Sequence, residues 1–223
     1  MGNPLMRMFD DRQKAGRELA SNLYEYAGKD VIVMAIPRGG VVVGYEVAHA
    51  LRAPLDIIVP RKIGAPFNPE LAIGAVAEDG TTFLDRGLVD DLGVSQSYID
   101  EEAERQRQEI VRRLVLYRGD ATYPRLEGRT VIIVDDGIAT GATIRAALAS
   151  IRKRRPKEII VAVPVAPSST VRVLEGEADR VVCIETPEPF YAIGQFYKNF
   201  EQTSDEKVTR LLRLNRQETG LTR

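Results

Sequence analysis

The chain has 223 residues, 44% of them hydrophobic and 28% charged, with 31 basic against 32 acidic side chains for a formal net charge of −1. That length suits one α/β domain with a small appendage, or at most two small domains, and the even charge balance excludes a global pull toward nucleic acid or an anionic membrane. A single cysteine, Cys183, excludes an internal disulfide framework, and one cysteine with one histidine, His49, cannot make a zinc site. No apolar run approaches the length of a membrane span. The start, Met1–Met6, has neither the basic start and apolar core of a signal peptide nor the myristoylation pattern, so a cytoplasmic protein is expected.

In chain order, Asp10 and Asp11 precede Ala15, Leu19, Leu23 and Tyr26 on one face, which predicts a helix ending near Gly28. Val31–Ile36 is a continuous apolar run, as expected of a strand covered on both sides. Pro37-Arg38-Gly39-Gly40 breaks it, and Val41–Leu51 reads as a helix. Leu55–Val59 reads as a second buried strand, followed by Arg61-Lys62, a loop over Ile63–Pro69, and a third strand over Ala72–Ala77. Between Glu78 and Gly128 the texture changes to a charged helix, about Ser95–Arg118, whose Ile99, Ala103, Ile110, Leu114 and Tyr117 fall on one stripe. Strands over Val131–Val134, Ile159–Val165 and Val181–Ile184 alternate with helices over Ala142–Lys153 and Ser168–Glu175. Such alternation predicts an α/β fold, an open, Rossmann-like parallel sheet flanked by helices. The expected sheet is five-stranded, its strands opening at Val31, Leu55, Ala72, Val131 and Ile159, with Val181 leading into a C-terminal hood. The tail Thr203–Leu214 opens with a capping-box pattern, Thr203-x-x-Glu206, and carries Val208, Leu211 and Leu212 as its apolar face. The expected organisation is a core over 1–185, with a helical insertion at about 78–128, and a small C-terminal hood over 186–223.

The most informative stretch is Val131-Ile-Ile-Val-Asp135-Asp136-Gly137-Ile138-Ala139-Thr140-Gly141-Ala142-Thr143. A buried strand ends in two carboxylates, then a loop of small and hydroxyl residues, then a helix. Ligands of open parallel sheets bind beyond the carboxyl ends of the strands. The loop's N–H groups and the helix N-terminus make a phosphate cradle, to which Thr140 and Thr143 add hydroxyls. Two adjacent carboxylates can accept hydrogen bonds from a vicinal diol. Phosphate plus diol describes a ribose 5-phosphate.

These thirteen residues closely resemble the signature of type I phosphoribosyltransferases. The resemblance implies that Asp135 and Asp136 hold the ribose 2′- and 3′-hydroxyls, and that Gly137–Thr143 holds the 5′-phosphate. Ala35-Ile36-Pro37-Arg38-Gly39-Gly40 resembles the family's pyrophosphate loop, with a cis peptide implied at Arg38-Gly39. A dinucleotide fingerprint is excluded there, because the glycines fall at positions 39, 40 and 44. Arg61-Lys62, at a strand end, is similar to the basic pair that contacts pyrophosphate in relatives, and Lys62 joins the two acids as a catalytic candidate.

Five of the fourteen aromatic residues lie between Phe190 and Phe200. Clustered aromatics outside the sheet suit either a stacking platform for a flat base or the core of a small subdomain. The run is similar to the hood of 6-oxopurine phosphoribosyltransferases, in which Phe190 matches the stacking aromatic and Tyr191 follows it. Two departures leave the base unassigned: Ala139 stands where those enzymes carry an acid, and Pro164 where they carry a lysine. His49, Cys183 and the basic run Arg152–Lys157 read as structural, the last at a helix C-terminus where cations are favoured.

The function implied by resemblance is displacement of pyrophosphate from 5-phosphoribosyl-1-pyrophosphate by a nitrogenous base. Mg²⁺ would be held mainly by the ligand, with Asp135 and Asp136 as candidate protein ligands. A non-catalytic sensor of the same ligand or of a nucleotide is the alternative. The segment Ile63–Ala75 is the expected cover of the site. The insertion is expected to cover the site or to meet a second subunit of a homodimer.

Overall fold

The computed structural model describes residues 7–119 and 123–220. After a cap in which the Asp11 carboxylate accepts from the Lys14 N–H, helix α1 runs Arg12–Ser21. It stops earlier than the apolar spacing predicts. Leu23 and Tyr26 are still buried, but a short 3₁₀ turn over Tyr24–Tyr26 carries the latter. Strand β1 is Val31–Ala35, helix α2 Gly39–Leu51 and strand β2 Leu55–Ile57. Then follow β3 (Arg61–Ala65), β4 (Asn68–Val76), β5 (Thr82–Leu84), α3 (Arg86–Asp91) and α4 (Gln96–Arg118). The chain continues with β6 (Thr130–Val134), α5 (Ala142–Arg152), β7 (Glu158–Val165), α6 (Ser168–Glu175), β8 (Arg180–Glu185) and α7 (Asp205–Thr219).

The main sheet has five parallel strands in the order β2-β1-β6-β7-β8. Three of them, β1, β6 and β7, are apolar along nearly their whole length and buried on both faces, which is why they read as unbroken hydrophobic runs. Side chains alternate between two cores. Val33, Ala35, Ile132 and Val134 face α2 and α7, while Ile32, Met34, Ile133 and Val161 face α5. The sheet is thus sandwiched between helical layers, as the alternation predicted.

The fifth strand is a correction. Ala72–Ala77 does not join this sheet; β8, which opens at Arg180, takes the place at its edge. Ile63–Pro69 is not a loop either. Residues 61–76 form the antiparallel hairpin β3–β4, extended by β5 into a separate three-stranded sheet. Two register shifts flank Gly64, and a side chain there would lie 2.6 Å from the Pro69 carbonyl oxygen, so the strands close in only because position 64 is glycine. The hairpin's outer half is polar and exposed, which hides it from a hydrophobicity pattern.

Helix α4 is capped by Ser95, whose hydroxyl accepts from the Tyr98 N–H, and ends at Gly119 with φ of 85°. Its predicted stripe is buried against β3, β4 and α7, so the chain's own core covers it. Fully burying side chains such as Ile110 and Leu114 is worth roughly 1.5–3 kcal/mol each. Glu102 of this helix is buried as well and accepts from Arg105 and Gln106. At the C-terminal end Arg118 enters the core, where its Nε lies 2.7 Å from Asp56 of β2. The cap of α7 is Ser204 rather than Thr203; its hydroxyl accepts from the Lys207 N–H. Val208, Leu211 and Leu212 of α7 pack into the same core as α2, so this helix belongs to the main body, whatever role the preceding segment plays. Among the described residues no helix is long and apolar enough to cross a membrane.

Candidate functional site

The strand order places the site. From β1 the chain moves outward to β2, then returns to the other side of β1 to lay down β6, β7 and β8. The loops leaving β1 and β6 therefore diverge to opposite faces, and a crevice opens between them at the carboxyl end of the sheet. Ala35 and Val134 are partners in register, and the Ile36 N–H donates to the Val134 carbonyl at 2.9 Å. The two segments singled out in the sequence, Pro37–Gly40 and Asp135–Thr143, thus leave adjacent strands side by side.

They also touch. A side chain at Gly39 would put its Cβ 1.9 Å from Asp136 Oδ2, and one at Gly40 would lie 2.8 Å from Asp135 Oδ1. Glycine is needed at both positions for space, since neither has a positive φ. Helix α2 starts at Gly39 without any side-chain cap, which leaves its first N–H groups with no intrahelical partner at this end of the sheet. The cis peptide lies at Pro37-Arg38, one bond earlier than the resemblance implied. Arg38 reaches Asp205 in the first turn of α7 at 3.6 Å, and Asp205 also accepts from Tyr117 near the end of α4. Helix α4 therefore meets the site through Tyr117.

The loop after β6 is held firmly. The Ile138 N–H donates to the Val165 carbonyl at 3.0 Å, and the Thr170 hydroxyl donates to the Ala139 carbonyl at 2.8 Å. Gly141, with φ of 82°, caps α5 without a side-chain bond, leaving that helix N-terminus open beside the exposed Ala139 and Thr140. Asp135 Oδ1 accepts from the Asp136 N–H at 2.8 Å. Burial, and then the neighbouring charge of Asp136, push the Asp135 carboxyl well above its ordinary pKa. A carboxyl in that condition gains from a hydrogen-bond donor brought by a ligand.

Arg61 and Lys62 begin β3 rather than ending β2. The Arg61 Nε donates to Gln106 of α4 at 2.9 Å, and the Lys62 Nζ to Glu70 across the hairpin at 2.7 Å. Phe190 is half-buried, its ring 4.8 Å from that of Phe196, whereas Tyr191 is 83% exposed. Both border a cleft of about 500 Å³ that also meets Ala139, Thr140, Thr170 and Glu188. The aromatic run thus divides: Phe196 and Tyr197 are core, and Phe190 and Tyr191 line the cleft.

Two contacts at the acid pair have no signal in the sequence. Arg12 Nε lies 2.6 Å from Asp136 Oδ2, and the Tyr197 hydroxyl donates to the Asp136 carbonyl at 2.6 Å. Arg12 stands 124 residues away from its partner, and no local pattern marks it. No group of three or more metal-ligating side chains occurs among the described residues. Asp135 and Asp136 are the acidic side chains that the crevice offers to a cation, and Asp136 Oδ2 is already paired with Arg12.

The open parallel sheet thus sets an acid pair between two uncapped helix N-termini. A family model for the phosphoribosyl transferase domain matches residues 8–201, and the chain belongs to that family, a family of glycosyltransferases. It is 46% identical over 207 residues to a Mycobacterium tuberculosis (strain H37Rv) protein named "Putative phosphoribosyl transferase Rv0571c". The match covers 93% of this chain and 47% of that protein, so the chain spans about half the length of the curated relatives it matches. It is also similar to the crystal structure of the protein TT1426 from Thermus thermophilus. There the identity is 41% and the TM-score 0.77, covering 92% of this chain and 97% of that one.

Proposed function

We propose that this chain binds 5-phosphoribosyl-1-pyrophosphate and transfers its phosphoribosyl group to a nitrogenous base, releasing pyrophosphate. The observation that carries the reading is the contact of Gly39 and Gly40 with Asp136 and Asp135. It sets two anion cradles, the starts of α2 and α5, on either side of one acid pair, the arrangement a ligand with two phosphate ends and a diol between them requires. Gly137–Thr143 takes the 5′-phosphate, Asp135 and Asp136 accept from the ribose hydroxyls, and Pro37–Gly40 receives the pyrophosphate. The acceptor nitrogen forms a bond to C1 as the C1–O bond to pyrophosphate breaks, with the electron pair leaving on that oxygen. The α2 N–H groups stabilise the charge that gathers there. Mg²⁺ bound with the ligand would supply further neutralisation of the leaving pyrophosphate. Phe190 and Tyr191 border the space for the base, and Ala139 and Pro164 leave its identity open. A multiply charged sugar phosphate does not cross a bilayer unaided, so an enzyme that consumes one suits the cytoplasm.

A sensor that binds the same ligand without turnover draws on one observation. Arg61 and Lys62, the pair assigned to pyrophosphate, are engaged by Gln106 and Glu70. Pyrophosphate release with Mg²⁺ across a panel of nucleobases and amines separates the two. Calorimetry comes first: wild type should bind phosphoribosyl pyrophosphate in the presence of Mg²⁺, and Asp135→Asn should bind it at least tenfold more weakly while unfolding normally. A charge-assisted bond from a hydroxyl is worth roughly 1.5–3 kcal/mol, which sets that factor. Equal affinity in the variant would make Asp135 structural and sink the assignment.

A further inference from the structure

Arg12 belongs to none of the motifs, yet it is the side chain most tightly engaged with the acid pair. It is the first residue of α1, and its Nε lies 2.6 Å from Asp136 Oδ2, with 11% and 12% of the two side chains exposed. Its Nη1 donates to the Glu201 carbonyl at 2.7 Å, and its guanidinium carbon sits 3.8 Å from the centre of the Phe200 ring. Phe200 in turn packs against Tyr197, ring centres 5.1 Å apart, and Tyr197 holds the Asp136 carbonyl. Asp136 is therefore fixed at both its side chain and its backbone. A Cβ at Gly39 would lie 2.7 Å from Arg12 Nε as well as 1.9 Å from Asp136 Oδ2, so the pair fills the space that the pyrophosphate loop leaves by having glycine there.

A pair withdrawn from water in this way adds little net stability, because desolvation offsets much of its attraction. What it does secure is direction. The guanidinium is a planar fork held here by three partners, and a carboxylate bonded to it through one oxygen cannot rotate without losing that bond. Resting on the reading above, we infer that Arg12 is a positioning residue for ribose recognition. It fixes Asp136 through Oδ2 so that Oδ1 is presented, beside Asp135, to a hydroxyl of the sugar. The N-terminal helix is thereby part of the ligand site, although no residue of it touches the ligand.

The test uses the full chain with Arg12→Met, Arg12→Lys, Asp136→Asn and the Arg12→Met/Asp136→Asn double variant. Calorimetry with Mg²⁺ measures three probes: phosphoribosyl pyrophosphate, ribose 5-phosphate and pyrophosphate. Arg12→Met should weaken both ribose-bearing ligands by about 10- to 100-fold, the range for one misdirected charge-assisted bond. Pyrophosphate, which has no diol, should bind as it does to wild type. Arg12→Lys should recover part of the loss, and the double variant should lose no more than Asp136→Asn alone. If Arg12→Met does not fold, the partial loss in Arg12→Lys and its restriction to ribose-bearing ligands decide the question in the same way. An equal loss for pyrophosphate would make Arg12 a general structural support and overturn the inference. So would unchanged ribose affinity, or tighter binding, which would make Arg12 a plug. Wild type that binds pyrophosphate but neither sugar phosphate would overturn the functional reading itself, a result distinct from all of these.

Discussion

Replacing Gly39 by alanine adds one methyl group at the point where the two halves of the site meet. The added carbon would sit 1.9 Å from Asp136 Oδ2, against an ordinary contact near 3.4 Å. Either the carboxylate oxygen or the loop must retreat by roughly 1.5 Å, more than the 2.6 Å bond between Arg12 and Asp136 can absorb. Alanine favours helix formation over glycine by about 1 kcal/mol at an interior site, and less at the first position of α2. Overpacking of this kind costs about 1–3 kcal/mol, so the steric term should win and leave the variant modestly destabilised. The larger effect should be on binding, because displacing a recognition group by about 1 Å typically costs a factor of about 100. Urea denaturation measures the first quantity and calorimetry with phosphoribosyl pyrophosphate and Mg²⁺ the second. A variant that unfolds at the wild-type midpoint and binds with wild-type affinity would show that the contact between the loops has no consequence, and the case for one site would fail.

Two predictions concern the surrounding body. The Glu78 side chain is 5% exposed and 4.0 Å from Arg154, and burial pushes its pKa from 4.5 up to about 7 against the pull of Arg118 and Arg154. An acid whose folded pKa is raised stabilises the fold below its unfolded value and loses that contribution as pH rises. Stability should therefore fall by about 3 kcal/mol from this group between pH 4.5 and 7, and urea midpoints of Glu78→Gln across that window should lack this slope. Ile110 is fully buried where α4 lies on the hairpin, so Ile110→Ala should cost about 2–5 kcal/mol by denaturation. A cost near zero would show that α4 does not rest on the core at Ile110.

The parts of the fold that were legible in the sequence share one physical property. Strands β1, β6 and β7 are buried on both faces, so burial alone writes them as continuous apolar runs, and their helices follow at once. The hairpin β3–β4 is not legible because its outer half, from Asn68 to Glu70, faces water and carries no alternation. The strand at Ala72 is legible but its sheet is not, since hydrophobicity records burial and not the partner. The apolar stripe of α4 was seen as well. That it lies on the chain's own core rather than on a second subunit is a fact of packing, which periodicity does not encode.

The site divides along the same line. Each half is contiguous, so Asp135–Thr143 and Pro37–Gly40 could be read as strings. Their union depends on strand order, because β1 and β6 become neighbours only when the chain reverses direction across the sheet after β2. Arg12 and Tyr197 depend on it twice over. They come from opposite ends of the chain, which are tied together where the Phe9 N–H donates to the Phe196 carbonyl at 2.8 Å and the Lys198 N–H to the Phe9 carbonyl at 2.8 Å. That short pairing brings α1 and the aromatic run onto Asp136, where Arg12 and Gly39 crowd the same carboxylate oxygen. The acid pair therefore sits at the junction of three segments, residues 9–12, 37–40 and 196–200, and the first of these carries no motif. A carboxylate crowded by a glycine loop needs a rigid support, and Arg12 and Tyr197, from the two ends of the described core, supply it at its side chain and its backbone.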